Sequence, residues 1–229
     1  MEDGKVMINV LYEDNHLLVV EKKVGVLSQS DGSDTPDMLT LLKEYIKDKY
    51  NKPGNVYLGL VHRLDKEVGG VMVFAKTSKA ARRLSEQIRN REFKKTYLAI
   101  CKGIIDSDGK FYDYLKRDEY RSYVTNSKEG KEARLSYEVL SYKNNNTLVK
   151  VNLQTGRHNQ IRVQFSYHKH PLLGDSKYGV KGKYPLALFA YKLEFTHPTT
   201  KEKLSFKLLP SEGYFKNFDL TNSLNNSNI

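Results

Sequence analysis

The sequence has one cysteine among its 229 residues, and this scarcity excludes two common ways of stabilising a fold. A disulfide framework and a cysteine zinc site both need more thiols than Cys101 alone can supply. Because Cys101 ends the apolar run 97–101, we interpret it as a small, buried hydrophobic residue.

Long apolar segments are also missing. No run approaches the roughly 20 residues that a membrane-spanning helix needs. The amino terminus, MEDGKVMINV, lacks the basic region and following apolar stretch of a secretory signal. The sequence therefore predicts a soluble, cytoplasmic protein with no membrane partner.

Acidic residues are in deficit. The chain has 38 Lys and Arg against 27 Asp and Glu, a formal net charge of +11. Such a chain attracts polyanions and favours a nucleic-acid partner, although a basic surface can also serve solubility alone. The 16 Tyr and 9 Phe strengthen a prediction of RNA, because unpaired bases stack on aromatic rings. Most such rings nevertheless belong to protein cores.

Recognisable metal and nucleotide motifs are absent too. The six histidines have no accompanying cluster of carboxylates or thiols at ligand spacing, so the sequence predicts no metal site. The segment 76–79, KTSK, lacks the upstream glycines of a Walker loop. A glycosidase is disfavoured because those enzymes usually pair two carboxylates, and the acid singled out below has no evident second.

Hydrophobic periodicity predicts many strands and a few helices. One helix is expected to begin at Thr35 and Pro36, with Thr35 as N-cap, and Ser78 is expected to cap another. A polar, hairpin-bearing insertion is expected over 105–134. The predicted strands are 16–21, 56–61, 71–75, 96–100, 136–140, 147–153, 186–195 and 204–208. With no internal repeat and no linker, this pattern indicates one α+β domain around a largely antiparallel, mixed β-sheet.

Cations crowd the second predicted helix and continue into Lys94 and Lys95. A solvated helix face is the ordinary explanation, but few acids interrupt the run, so a phosphate-facing ridge is equally favoured. The helix cations are Lys79, Arg82, Arg83, Arg89 and Arg91.

The segment 61–76, VHRLDKEVGGVMVFAK, is the most informative in the chain. Asp65 follows Arg63 by two positions, and Gly69 and Gly70 precede an apolar run with strand character. A carboxylate at the start of a strand is rigidly held and can be aimed into a pocket. An Asp that only caps a turn, with Arg63 as a surface ion pair, is the simpler alternative for these residues in isolation.

A second segment rich in polar and charged residues, 153–162 (LQTGRHNQIR), precedes the segment 174–179 (GDSKYG). Its apolar spacing fits a strand or a helix, and the Thr-Gly turn before it favours a helix start. Arg162 would be costly to bury without an acidic partner. Its nearest neighbours supply none, so we predict a distant carboxylate, with Asp65 as the leading candidate.

Together these motifs resemble the RluA-type family of RNA pseudouridine synthases. HRLD followed by a strand ending in FAK matches 62–76, and the K-x-Y-x-A pattern matches 95–99. TGR-x-x-QIR matches 155–162, and G-D-x-x-YG matches 174–179. The order and spacing of the four motifs cover roughly residues 10–210, which makes the combination far more specific than any one of them.

The resemblance implies roles for individual residues. Asp65 would be the catalytic nucleophile, Tyr97 the pocket aromatic that stacks on uracil, and Arg162 the ion-pair partner of Asp65. Arg63 would occupy the space left by the flipped base, and Leu188 would be an apolar wall. His62, Lys94 and Lys95 complete the predicted substrate-binding set.

The implied reaction is an isomerisation of uridine that needs no cofactor and no metal, within a central RNA-binding cleft. Ribosomal and transfer RNA are both candidate substrates, and a monomer is predicted. Attack of Asp65 at C1′, attack at C6, and assisted elimination to a glycal all remain open. The alternative is a non-catalytic, basic RNA-binding or ribosome-assembly protein in which the Asp65–Arg162 pair is only structural.

The expected domain limits follow from the same resemblance. We predict a flexible segment at 1–9, a catalytic domain at 10–215, and a polar, disordered tail at 216–229, with no separate amino-terminal RNA-binding domain. The chain departs from the family pattern at six positions. The family usually has Thr-Ser at Val68-Gly69 and Pro at Lys23. It usually has His at Asn159, Gln164 and Phe189.

Overall fold

The computed structural model of the protein describes residues 7–226. The strands are β1 (Asn9–Glu13), β2 (Leu17–Lys22), β3 (Gly59–Leu60), β4 (Gly69–Ala75), β5 (Lys94–Lys102), β6 (Gly109–Arg117), β7 (Ser122–Thr125), β8 (Lys131–Lys143), β9 (Asn146–Leu153), β10 (Leu188–Thr196) and β11 (Lys203–Lys207). The helices are α1 (Met38–Lys49), α2 (Ser78–Arg89), α3 (Gln160–Tyr167) and α4 (Leu220–Asn226), with a 3₁₀ turn at Gly213–Asn217.

Two compact units make up the described chain. Unit 1 contains the residues up to Phe93 together with Lys192–Leu208, and unit 2 contains Lys94–Tyr191 and the residues from Leu209 onward. Strands and helices occur in both, and the strand pairs described below are antiparallel. The predicted α+β class with largely antiparallel strands is therefore confirmed.

Unit 1 is built on the antiparallel ladder β1–β2–β4, in which β2 and β4 pair from Leu17 opposite Ala75 to Lys22 opposite Gly70. Every residue of β4 is buried, as its unbroken apolar sequence leads one to expect. Helix α2 packs Ala80 and Leu84 into the same apolar cluster as Val71 and Val73. The sheet therefore supports the loop that enters β4.

Unit 2 is built on the antiparallel ladder β5–β9–β8–β6–β7. Helix α3 covers one face of this ladder, since the Phe165 ring lies 5.1 Å from that of Phe111 and 5.4 Å from that of Tyr137. The segment 105–134, predicted as a hairpin-bearing insertion, contains β6 and β7 and the start of β8, so it forms a full part of the ladder.

Both predicted N-caps were wrong, by one or two residues. The Asp37 carboxylate, rather than Thr35, accepts the Thr40 amide at 3.0 Å and caps α1. The Thr77 hydroxyl, rather than Ser78, accepts the Ala80 amide at 3.1 Å and caps α2. Of the strand predicted at 56–61, only the two residues of β3 are paired.

The prediction of a disordered tail was wrong for residues 216–226. The 3₁₀ turn ends in this region and α4 lies within it, with Leu220 and Ser223 buried. The Ser223 hydroxyl bonds to that of Ser141 at 3.1 Å. Residues 227–229, and residues 1–6 of the predicted flexible segment, lie outside the described part of the chain.

Among the described residues, no helix combines the length and the apolar composition that crossing a bilayer requires.

The carboxylate of Glu13 anchors α1 to β1 in unit 1. It accepts hydrogen bonds from Lys49 at 2.7 Å, Lys76 at 2.8 Å, Tyr50 at 2.8 Å and Tyr45 at 3.0 Å. Burial alone would raise the pKa of Glu13, but these four donors outweigh it and lower the pKa to about 2.

Acidification should therefore destabilise the protein through Glu13. Because the folded-state pKa lies below the unfolded value, the stabilisation is complete above about pH 4.5 and is lost as the pH falls toward about 2. We expect Glu13→Gln to lower the free energy of unfolding in urea by on the order of 2 kcal/mol near neutral pH and by less near pH 3. The exposed Glu44→Gln on α1 is the control. An equal fall in the free energy of unfolding of Glu13→Gln at both pH values would contradict a stabilising role for the ionised Glu13 carboxylate.

Candidate active site

Asp65 lies in the loop that joins β3 to β4 in unit 1. Its backbone carbonyl accepts the Val68 amide at 3.0 Å, which closes a tight turn. Gly70 then adopts a φ of +128°, a conformation that residues with a Cβ rarely take. The Asp65 side chain is partly exposed. The loop thus presents a carboxylate at the start of β4, where the sequence predicted it.

A buried serine from outside the motif holds the backbone next to Asp65. The Ser28 hydroxyl donates to the Leu64 carbonyl at 2.8 Å and accepts the Leu64 amide at 3.0 Å. One side chain therefore satisfies both polar groups of the residue that precedes Asp65. Such reciprocal bonding fixes the loop without a regular ladder.

Lys22, at the end of β2, lies beneath the same loop and is fully buried. Its ammonium donates to the carbonyls of Val68 at 2.8 Å, Lys23 at 3.1 Å and Lys66 at 3.3 Å. Burial lowers the pKa of Lys22 to about 8, and the negative charge of Asp65 opposes that shift. A buried cation thus bonds to several carbonyls of the loop and also interacts electrostatically with the Asp65 carboxylate.

Replacing Lys22 by methionine should loosen this loop. The substitution keeps the apolar stem but leaves the Val68 carbonyl without the Lys22 donor, which costs about 1–3 kcal/mol. The Lys66 carbonyl still accepts the Gly25 amide at 2.8 Å. We expect a matching fall in the free energy of unfolding, with faster hydrogen exchange at the Val68 amide. Lys23→Met, which removes an exposed ammonium bound to Glu21, is the matched control. Native exchange rates in the Lys22 variant would show that other contacts hold the loop.

His62 and Arg63, predicted to bind substrate, occupy different environments in this loop. The buried His62 ring accepts the Val73 amide on Nε2 at 3.2 Å and lies 5.6 Å from the Phe93 ring. His62 therefore joins the loop to β4 and to the core. The Arg63 side chain is exposed and accessible to a polyanion.

Tyr97 lies on β5 in unit 2 and is 7% exposed. The pairing of Tyr97 with Val151, and of Val151 with Tyr137, places these residues on one face of the ladder. Because Phe165 of α3 packs on Tyr137, this is the face that α3 covers. Tyr97 and Arg162 of α3 are therefore on the same side of the unit 2 sheet.

The Arg162 guanidinium forms a buried, bidentate pair with Asp175. Its Nε donates to Oδ2 at 2.8 Å, and a terminal nitrogen donates to Oδ1 at 2.7 Å. The Asp175 side chain is inaccessible to solvent. This geometry fixes the orientation of the guanidinium plane, which a single contact would not do.

Asp175 is an acidic partner that the sequence prediction missed. Burial alone would raise its pKa, but the hydrogen bonds and charge of Arg162 and the amides of Tyr178 and Lys177 hold it below the usual value. It lies 13 residues after Arg162, beyond the nearest neighbours first considered. The predicted pairing of Arg162 with Asp65 joins residues of the two units and stays a prediction.

Two residues that depart from the family pattern help to hold α3. Asn159 precedes the helix with a φ of +53°, a left-handed conformation that Asn tolerates, and its amide donates to the Tyr178 hydroxyl at 3.1 Å. The Gln164 amide donates to the Asp113 carboxylate at 2.7 Å. These residues therefore provide structural hydrogen bonds around Arg162.

The remaining predicted residues, Lys94, Lys95 and Leu188, also belong to unit 2. Lys94 is exposed, whereas Lys95 is half-buried, and burial lowers its pKa. Leu188 is 5% exposed. It directly follows Ala187, whose carbonyl accepts the Ile100 amide of β5 at 3.1 Å.

The structure thus gathers the predicted residues in two groups. His62, Arg63 and Asp65 share one loop of unit 1, and the others lie in unit 2. Sequence reasoning missed the three residues that position these groups: Lys22, Ser28 and Asp175. Of these three, Asp175 had a usable signal in the sequence, because it lies in the motif at 174–179.

Within residues 7–226, no three His, Cys, Asp or Glu side chains are placed to hold an ion together.

Comparison with protein families gives a match over most of the catalytic motifs. The model of a family described as RNA pseudouridylate synthase matches residues 16–167. A protein of Aquifex aeolicus named an uncharacterized RNA pseudouridine synthase is 40% identical over 225 residues, covering 90% of this chain and 71% of its own length. The ribosomal large subunit pseudouridine synthase D of Vibrio parahaemolyticus is 34% identical over 224 residues, covering 90% of this chain and 68% of its own.

Solved structures show the same fold. The human RNA pseudouridylate synthase domain containing 4 superposes with a TM-score of 0.75 at 24% sequence identity. The match covers 95% of this chain and 92% of that one.

Proposed function

Because the chain belongs to the RNA pseudouridylate synthase family, it is an RNA-modifying isomerase, and we propose that Asp65 is its catalytic nucleophile. The proposed substrate is a uridine in ribosomal or transfer RNA. The name of the Vibrio relative, which refers to the large ribosomal subunit, favours ribosomal RNA.

The observation that carries the assignment is the construction of the Asp65 loop. Ser28 and Lys22 hold the backbone on both sides of a partly exposed carboxylate. A turn cap on the surface needs no buried ammonium bonded to three carbonyls beneath it. A nucleophile does need fixed geometry, because small displacements of the reacting atom cost large factors in rate.

The chemistry fits a carboxylate of this kind. Pseudouridine formation breaks the N1–C1′ bond of uridine, turns the base and forms a C5–C1′ bond, with no net change of oxidation state. The reaction needs an ionised carboxylate near the sugar and base, a flat surface to hold the detached uracil, and exclusion of water. Asp65 supplies the first and Tyr97 the second in our proposal.

Arg162 has the proposed role of a fixed cation for the Asp65 carboxylate. Its pairing with Asp175 supports this role because the guanidinium is held in one plane before substrate binds. Arg63, exposed in the Asp65 loop, is proposed to fill the space that the flipped uridine leaves. Flipping costs a few kcal/mol, which phosphate contacts and stacking on Tyr97 would offset.

Further proposals concern the whole protein. We propose a cytoplasmic monomer whose catalytic region spans residues 10–215. His62 is proposed to act by positioning the loop, while Lys94 and Lys95 contact RNA and Leu188 forms an apolar wall of the uracil pocket.

The test is direct assay of the purified protein on unmodified RNA. Transcripts of large-subunit ribosomal RNA and of transfer RNAs, labelled with tritium at uridine C5, should release tritium when a uridine is isomerised. Mapping pseudouridines in cellular RNA with and without the gene then identifies the position. RNA binding without tritium release from either class would overturn the proposal and favour a non-catalytic RNA-binding protein.

A further inference from the structure

A basic groove lies at the start of α3 in unit 2, outside the catalytic residues. It has a volume of about 390 Å³, within the range of small-molecule sites. Leu115, Ser122, Gly156 and His158 form part of its lining. Its cationic side chains are Lys116, Arg117, Lys131 and Arg157.

The charge of this groove is unbalanced. Among the described residues that line it, the acidic one is Glu129, which already binds Lys116 at 2.9 Å. Arg157 donates its Nε to the neutral carbonyl of Glu132 at 2.8 Å, so this bond fixes the guanidinium without cancelling its charge. Arg117 and Lys131 are exposed. The groove therefore has a strong excess of positive charge.

Gly156 lines the groove and has no side chain to cover its backbone. A Cβ at this position would lie 3.1 Å from the Nζ of Lys95, so a fifth cation reaches the glycine backbone. A side chain at 156 would separate that ammonium from any ligand lying over the glycine. A phosphate can therefore approach the Gly156 backbone and Lys95 together.

The groove opens on the face of the unit 2 sheet that carries Tyr97. Leu115, part of its lining, packs against Val163 of α3 and Tyr178, which places it on the α3 side of the sheet. Arg157 belongs to the loop that leads directly into α3 and Arg162. A strand bound in the groove would thus lie on the same side of the sheet as the proposed uracil pocket.

We infer that this groove binds the phosphate backbone of the RNA substrate beside the target uridine, an inference that rests on the proposed function. Guanidinium groups bind phosphate oxygens in two-contact geometry, and consecutive phosphates of a strand match several cations along a groove. An acidic peptide would gain less, since carboxylates on flexible side chains lack this regular spacing.

Charge removal in the groove tests the inference. The triple variant Arg117→Gln, Lys131→Gln, Arg157→Gln should raise KM for the labelled ribosomal transcript by about tenfold or more and leave kcat within about twofold. For a fluorescent RNA hairpin with unpaired loop uridines, the slope of log K against log salt should become shallower by about 2, at roughly 0.7 per phosphate contact.

The matched control removes three exposed lysine charges elsewhere in unit 2. The residues Lys110, Lys143 and Lys169 are exposed and do not line the groove, so their triple replacement by glutamine gives the same net charge. The inference requires the groove variant to show a larger rise in KM and a larger flattening of the salt slope than this control. Equal effects in the two variants, with an active wild-type enzyme, would overturn it.

The two proposals fail separately. A wild-type protein that binds the hairpin but never releases tritium would contradict the proposed function. In that case, a salt slope that changes in the groove variant would still support the phosphate-binding site. Urea unfolding of the groove variant verifies that the fold is retained.

Discussion

Replacing Asp65 by asparagine should abolish tritium release from RNA labelled at uridine C5. The amide has nearly the shape of the carboxylate but lacks its charge and nucleophilicity, so we expect turnover to fall by on the order of 10³-fold or more. The turn around residue 65 depends on its backbone carbonyl and on Ser28, so the fold should be kept. The measurement is single-turnover tritium release with excess enzyme.

Glu67→Gln provides the matched control for this variant. It removes one negative charge from the same loop and should leave turnover near the wild-type rate. RNA affinity and the free energy of unfolding should be nearly unchanged in both variants. Substantial turnover by Asp65→Asn would refute the assignment of Asp65 as the nucleophile.

Replacing Arg162 by methionine should have the largest effect on stability. The change leaves the fully buried Asp175 carboxylate without its guanidinium, and breaking a buried pair from one side costs about 3–5 kcal/mol. We expect the free energy of unfolding in urea to fall by that amount. The double variant Arg162→Met, Asp175→Leu removes both charges and should recover much of the loss.

This cycle also separates stability from catalysis. If Arg162 orients a catalytic carboxylate, the double variant should regain stability without regaining turnover. Recovery of both would limit the pair to a structural role. An Arg162→Met protein as stable as the wild type would show that the pair contributes nothing to folding.

Local features of the site could be predicted from sequence. The Asp65 loop was located correctly because a turn with two glycines before an apolar, β-branched run is encoded by adjacent residues. The helix at Arg162 was favoured for a similar reason, by the turn before it. The helix caps were misplaced because more than one Ser, Thr or Asp residue stands near each start, and only the three-dimensional bonds select one.

Features that depend on distant residues could not be predicted in this way. Lys22 resembles any lysine at the end of a strand, and nothing local shows that it bonds to carbonyls more than 40 residues away. Asp175 lies 13 residues from Arg162, and no local spacing shows that these two side chains pair. In the tail, the high content of Asn and Ser hid the few residues, such as Leu220, that pack and order it.

Unit 1 is assembled from two stretches that lie far apart in the chain, and this has a consequence for biosynthesis. Leu193 and Phe195 of β10 belong to the same apolar cluster as Val71 and Val73 of β4. A nascent polypeptide that has emerged only as far as Phe93 lacks those side chains, although domains usually fold as they leave the ribosome. The apolar surface that Leu193 and Phe195 will cover stays exposed until residues 94–191 have been translated. Unit 2 in turn needs residues from Leu209 onward, so neither core can be completed until most of the chain has been synthesised.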